Sequence, residues 1–562
     1  MKKGITILSC ALIIFLYACR QTKEFDVLIM NGTVYNGSGE KPIMADIGIN
    51  SDTIVQIGDL SKAKAKKVID ATGKSVSPGF INMLSWATES LIYDSRSMSD
   101  ILQGITLEVM GEGVTMGPIN DSMKKASPLF QADLKFEYEW ETLGEYLEYL
   151  ENKGVAPNVA SMVGATSVRM YELGEDDVQP TEEQMTKMKA LVRQAMEEGA
   201  MGVGSSLIYA PASYATIEEL IELCKVAAEY DGMYISHMRS EGDYWLEAID
   251  ELLAIADGAK IDAEIYHLKA AGKDNWHKWE TAIAKIDSAR ATGLNITTNM
   301  YTYTAGATGL DAAMPTWVQN GGFEKWAERL KDPKIRARVK KEMKDKGDGW
   351  ENLYHASRGG DNMIFVAFKN KDLRKYAGMT LKEVSELLNK DPEDVIMDLV
   401  IEDGSRVGTV YYLMSEENVR KQIKLPYMSF GSDGPSIAPE PPVTNTGAHP
   451  RSYGNFARLL RKYVREEKVI PMEEAIYKLT SLPAKNLKIK KRGALKEGYF
   501  ADVVIFDPET ISDKATFKDP HQLSVGVEHV FVNGEQVIEN GEHTGATPGR
   551  VVRGPGWKGW KK

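Results

Sequence analysis

Cysteine is nearly missing from this chain: among 562 residues only Cys10, Cys19 and Cys224 carry a thiol. The first two fall in a short apolar leader, so Cys224 has no internal partner and a disulfide-stapled fold is excluded. Cys224 lies in residues 220–227, which read as a helix with an apolar face, so its thiol is expected in the core. Long hydrophobic runs are missing too. Beyond the leader no segment has the roughly 20 consecutive apolar residues of a membrane-spanning helix, and the rest of the chain is expected to be soluble. Basic charge is not in excess: the net charge is −12 with no dominant basic patch, which argues against nucleic acid as a partner. No short repeat of the solenoid kind recurs. What remains is a composition of 43% hydrophobic and 26% charged residues, ordinary for a globular protein long enough for one large domain and a small one.

The leader itself carries an address. Lys2 and Lys3 precede an apolar stretch at residues 5–16, too short to span a bilayer comfortably, and Leu16-Tyr17-Ala18-Cys19 resembles the lipobox of bacterial lipoproteins. The expectation is a signal peptide over residues 1–18 and lipidation of Cys19. That lipid would anchor the protein to a membrane on the periplasmic or outer-membrane side of the cell envelope.

Residues 25–70 alternate in short strands, punctuated by the turn signals Asn31-Gly32 and Gly37-Ser38-Gly39. Residues 501–506 and 527–538 repeat that texture at the other end. Together they predict one small discontinuous β domain, an antiparallel β-sandwich built from residues 24–77 and 486–562. Between them, apolar strand candidates alternate with amphipathic helices. This pattern predicts an α/β fold, a (β/α)8 TIM-like barrel over residues 78–485. Residues 316–361 depart from the alternation. They are charged, largely helical and contain Trp317, Trp326 and Trp350, as a lid over the barrel mouth or a solvated insertion.

Two histidines end consecutive strand candidates. His237 closes Met233-Tyr234-Ile235-Ser236-His237 and His267 closes Asp262-Ala263-Glu264-Ile265-Tyr266-His267, so in a barrel both reach one mouth. Neutral imidazole is the commonest metal ligand, although either histidine alone reads equally as a structural hydrogen-bonding residue. Glu112, between Gly111 and Gly113, is a solvated turn carboxylate or the third member of a His2Glu hydrolytic site. Asp433, in Ser432-Asp433-Gly434-Pro435, is by itself a turn residue. Beside an activated water, the same carboxylate can take a proton and return it to a leaving amine.

Family resemblance sharpens this. Ser77-Pro78-Gly79-Phe80-Ile81-Asn82 resembles the first barrel strand of the amidohydrolase superfamily, where a His-x-His metal pair usually follows. Leu84 and Trp86 stand in those two places. Further motifs are Leu207-Ile208-Tyr209-Ala210-Pro211, Ser236-His237-Met238-Arg239-Ser240-Glu241, His267-Leu268-Lys269, Gly431-Ser432-Asp433-Gly434 and His449-Pro450-Arg451-Ser452-Tyr453-Gly454. They make the chain similar to the N-acyl-D-amino-acid deacylases (D-aminoacylases) over nearly its whole length.

The resemblance implies zinc-dependent hydrolysis of an acylated D-amino acid, a small-molecule substrate. It implies a tightly bound metal on Glu112 (a cysteine in the family), His237 and His267, with Asp433 as the catalytic carboxylate. It further implies that Arg451 grips the substrate carboxylate, helped by Lys269 and Tyr209. Without the His-x-His pair, the expectation is one metal per chain. A carboxylate in place of the thiolate admits Mn2+ or Fe2+ beside Zn2+. Leu84 and Trp86 are expected to line the vacated place with apolar surface, and Glu89 reads as a helix-start carboxylate rather than a substitute ligand. Two alternatives stay open here: a dipeptidase or cyclic-amide hydrolase, and a non-catalytic ligand-binding lipoprotein.

Overall fold

The computed structural model describes residues 24–126 and 133–561. The expected signal peptide and lipidation site at Cys19 lie outside the described residues.

The fold is mixed α/β. Short buried strands make its centre: β1 (Phe80–Asn82), β2 (Ile105–Met110), β3 (Asn158–Ser161), β4 (Gly202–Ser206), β5 (Met233–His237), β6 (Asp262–Ile265), β7 (Ile296–Met300) and β8 (Met428–Phe430). All run parallel to their neighbours. One sheet has the order β1-β2-β3; another runs β8-β7-β6-β5-β4 and ends on Val163–Gly164, two residues beyond β3. At the opposite edges the Met83 N–H donates to Phe430 O (3.0 Å), so β1 meets β8. Nearly every residue of these strands is buried, as expected for parallel strands covered on both faces.

Helices return between the strands. Ile217–Ala228 starts at Thr216, whose side chain accepts from the Glu219 N–H, and it buries Leu220, Leu223, Cys224 and Ala227 as one stripe. Burial pushes the Cys224 thiol up, which keeps it protonated and inert.

Both chain ends join in a nine-stranded sheet, through the antiparallel pairing of Ser75–Pro78 with Val503–Phe506. Two details differ from the sequence expectation. The sheet is not wholly antiparallel, because Glu24–Val34 runs parallel to Lys64–Asp70 and to Ser75–Pro78. Asn31-Gly32 is no hairpin turn either; it is an irregularity within a single strand. Asn31 takes the left-handed conformation (φ 60°), and a Cβ on Gly32 would fall 2.5 Å from Val76 Cγ2. The local Asn-Gly preference is met, but the strand continues and changes partner there.

Residues 316–361 contain Phe323–Arg329 and Pro333–Lys344, charged outside and apolar inside. Trp326, Leu330, Val339 and Met343 pack with Phe365 and Tyr411 into a core of their own. That core backs the three-stranded sheet of Ala305–Gly309, Gly408–Tyr412 and Met363–Ala367. Trp326→Ala is expected to cost about 3–5 kcal/mol of unfolding free energy in urea denaturation. A cost near zero would mean these helices are not part of the folded core.

Candidate active site

Glu112, His237 and His267 come together past the C-terminal ends of β2, β5 and β6. Glu112 Oε1 lies 2.8 Å from His237 Nδ1 and 3.0 Å from His267 Nε2, and all three side chains are buried. Among the described residues, no other three side chains of metal-binding type gather this closely. The backbone is shaped to put them there. Gly111 and Gly113 flank Glu112 at φ 113° and 77°, and a Cβ on Gly113 would sit 2.2 Å from Ser206 Oγ. His267 (φ 32°) and Asp433 (φ 49°) occupy the left-handed region, which costs a non-glycine residue about 1–3 kcal/mol. The His267 N–H donates to Asn299 Oδ1 (2.8 Å) and the Asp433 N–H to Leu84 O (2.9 Å), which hold these conformations.

Electrostatics fit a cation at this point. Burial alone would raise the Glu112 carboxyl, but hydrogen bonds from the two imidazoles outweigh it and hold the group far below its usual range. Burial and Lys269 pull His267 down, while Glu241 and Glu112 overcome both and lift it to about 9. Two imidazole nitrogens thus face one carboxylate oxygen, a donor set that matches Zn2+ once the facing proton is displaced.

Glu241 was not singled out by the sequence reading. Its Oε1 lies 2.9 Å from His267 Nδ1, so this carboxylate backs His267, while its Oε2 stays 3.6 Å from His237 Nε2, beyond hydrogen-bond reach. Such a partner fixes the imidazole tautomer and orientation. The signal was in the quoted motif Ser236–Glu241, where a carboxylate follows His237 by four residues in the same strand-end loop. Lys269 Nζ also reaches Glu241 Oε1 (2.6 Å), so its charge is balanced within the protein. The Tyr209 ring stands beside His237 (5.4 Å between centroids), with the Arg406 guanidinium 4.8 Å from the Tyr209 ring centroid.

Asp433 faces this group from β8. Burial raises its carboxyl above the ordinary range, against the lowering pull of Arg451. Arg451 Nη1 pairs with Asp433 Oδ2 (2.7 Å), Nη2 donates to Ala307 O (3.2 Å), and the guanidinium stacks 4.6 Å from the Tyr301 centroid. Its buried Nε finds no hydrogen-bond partner.

The two positions of the missing His-x-His pair behave differently from expectation. Leu84 is fully buried in an apolar cluster with Ile81, Met83, Leu107 and Val109. Trp86 does not present apolar surface to the site. Its indole N–H donates to Glu112 Oε2 (3.0 Å) and Asp433 Oδ1 (3.2 Å), so the ring turns its polar edge to the two carboxylates. Glu89 lies in the first turn of Ala87–Tyr93 and joins no ligand group; burial pushes it up to about 7.

Comparison with known proteins decides the family. An amidohydrolase family model matches residues 383–538. The D-aminoacylase of Alcaligenes xylosoxydans xylosoxydans is 30% identical over 532 residues, 94% of this chain and 98% of that protein. The chain belongs to the D-aminoacylase family of amidohydrolases. A solved D-aminoacylase, described by one-metal activation and second-metal attenuation of a binuclear centre, superposes with a TM-score of 0.79. It is 30% identical and covers 94% of this chain and 100% of its own. The N-acyl-D-glutamate deacylase of Bordetella bronchiseptica, solved with zinc and a phosphonate mimic of the tetrahedral intermediate, also gives 0.79. Its identity is 28%, over 94% of this chain and 100% of that one.

The loop carrying Glu241 is braced by the Ser240 hydroxyl, which donates to Glu351. Burial pushes the Glu351 carboxyl from about 4.5 up to about 7. A raised carboxyl destabilises the folded state as pH climbs through that window. Glu351→Gln should therefore gain roughly 1–3 kcal/mol over the parent above pH 7, with the gain vanishing near pH 4.5. Melting temperatures at pH 5 and pH 8 check this, and an equal difference at both would contradict it.

Proposed function

We propose that this protein is a metal-dependent amide hydrolase that deacylates N-acyl-D-amino acids with a single divalent cation. The observation that carries this reading is the convergence of Glu112, His237 and His267 beside the Asp433–Arg451 pair. Glu112 Oε1, His237 Nδ1 and His267 Nε2 would hold the ion. Zinc is the first candidate, with Mn2+ and Fe2+ compatible with the carboxylate ligand. A cation there supplies Lewis acidity, activating water and polarising the scissile carbonyl.

The chain's own groups do the rest. Asp433, raised by burial, accepts a proton from the attacking water and delivers it to the leaving nitrogen. Arg451 offers its unpartnered Nε edge to the substrate carboxylate, held flat by Tyr301. Lys269 acts with Glu241 as a charge-balanced pair that steadies His267, and Tyr209 closes the opposite side. A dipeptidase, a cyclic-amide hydrolase or a mere binding protein is less well supported. The relatives at 30% identity along the chain are D-aminoacylase and the N-acyl-D-aspartate and N-acyl-D-glutamate deacylases.

The finer architecture belongs to the same reading. With β3 continued by Val163–Gly164 and β1 meeting β8, the eight strands support a closed (β/α)8 barrel over residues 78–485. The terminal sheet supports a small β domain from residues 24–77 and 486–562, of sandwich type, and residues 316–361 support an insertion beside the mouth. We also propose a lipid anchor at Cys19 on the outer side of the cell envelope, on the strength of the lipobox-like leader; no helix among the described residues is long and apolar enough to cross a membrane.

Elemental analysis should find about one zinc per chain, lost in Glu112→Ala and His237→Ala. Asp433→Asn should keep the metal while deacylation of N-acetyl-D-amino acids falls by about 10²–10⁴. Metal retained in both ligand variants, or full activity in Asp433→Asn, would contradict the assignment. Arg451→Met should raise KM steeply for substrates with a free carboxylate and little for their amides. An equal effect on both would remove Arg451 from substrate recognition.

A further inference from the structure

We infer that the Trp86 indole is a positioning residue that does the structural work a second cation would do, bridging the metal-site carboxylate Glu112 and the base Asp433. The inference rests on the single-metal hydrolase reading above.

Two carboxylates converge at this point, Glu112 through Oε2 and Asp433 through Oδ1, both buried. Arg451 pairs with Asp433 Oδ2 and the imidazoles meet Glu112 Oε1, but the two remaining oxygens converge in an interior that screens like charges poorly. A bridging cation is one remedy. The other is a shared donor, and the indole N–H supplies it at 3.0 Å and 3.2 Å. Indole nitrogen donates but offers no lone pair, so Trp86 can hold these oxygens but can never ligate a metal.

The backbone aims the ring. The Trp86 N–H donates to Gly434 O (3.0 Å), the Ser85 N–H donates to Val109 O (2.9 Å), and Ser85 bridges Gly434 in parallel register. Asn82 anchors the other side of the same loop: its Nδ2 donates to Ser432 Oγ (2.9 Å) and its Oδ1 accepts the Ser432 N–H (2.8 Å). Segment 82–86 and segment 432–434 are therefore locked together around the contact. Two consequences follow. Glu112 has Oε2 committed to Trp86, which leaves Oε1 alone facing the histidines. And the place between Glu112 and Asp433 is filled by the indole, while Leu84 has turned its side chain into the apolar cluster, so neither of these two positions offers a ligand to a second ion.

The test uses zinc stoichiometry and steady-state kinetics on the unmodified protein, Trp86→Phe, and the double variant Leu84→His/Trp86→His. Unmodified protein should bind one equivalent and refuse a second in excess zinc. Trp86→Phe, which keeps a ring but removes the donor, should retain its one zinc while kcat falls about 10–100-fold and KM stays within about twofold. The double histidine variant should take up a second equivalent. Two equivalents in the unmodified protein would overturn the inference, as would a zinc-loaded Trp86→Phe with unchanged kcat. Absence of zinc from the unmodified protein would overturn the hydrolase reading itself, and this inference with it.

Discussion

One carboxylate oxygen shared by two imidazoles organises the mouth of this protein. Glu112 Oε1 meets His237 and His267 at hydrogen-bond distance in a buried place, so the three side chains are held as one unit. Strand spacing, the glycines around Glu112 and the left-handed backbone at His267 all serve this contact. Strain of about 1–3 kcal/mol per left-handed residue is tolerated because hydrogen bonds from neighbouring strands fix the alternative in place.

The surrounding charges extend the same logic. Three carboxylates, Glu112, Glu241 and Asp433, face Lys269, Arg451 and an imidazolium at His267 raised to about 9. The metal-free site is thus close to neutral. A divalent cation that displaces the His267 proton adds one net positive charge, and a substrate carboxylate cancels it. This balance supports the single-cation proposal: a second dication would leave the pocket strongly positive, whereas the neutral Trp86 N–H joins Glu112 to Asp433 without adding charge.

Much of this was legible in the sequence, and for definite reasons. His237 and His267 close apolar runs, so strand parity and the parallel-strand pattern send both to one end. Glu112 and Asp433 follow strands in glycine-containing loops, and it was the family resemblance that set them apart from ordinary turn carboxylates. What stayed hidden needed three dimensions. Glu241 drew no separate reading because nothing local shows that Lys269, 28 residues on, balances it. Trp86 read as apolar surface, since the partners of its one polar atom come from residues 26 and 347 positions away. Asn31-Gly32 carried a turn signal that tertiary pairing turned into a kink within one strand. The two charged helices at 323–344 read as a lid or a solvated insertion, but their inner faces build a separate core.

The central claim is that one cation, and only one, makes this site work. The direct measurement is a titration of metal-stripped protein with zinc, following bound metal and turnover of an N-acetyl-D-amino acid in the same samples. The account predicts that both rise together, saturate at one equivalent per chain, and stay level as more zinc is added. Turnover that needs two equivalents, or bound zinc without turnover of any acylated D-amino acid, would contradict it.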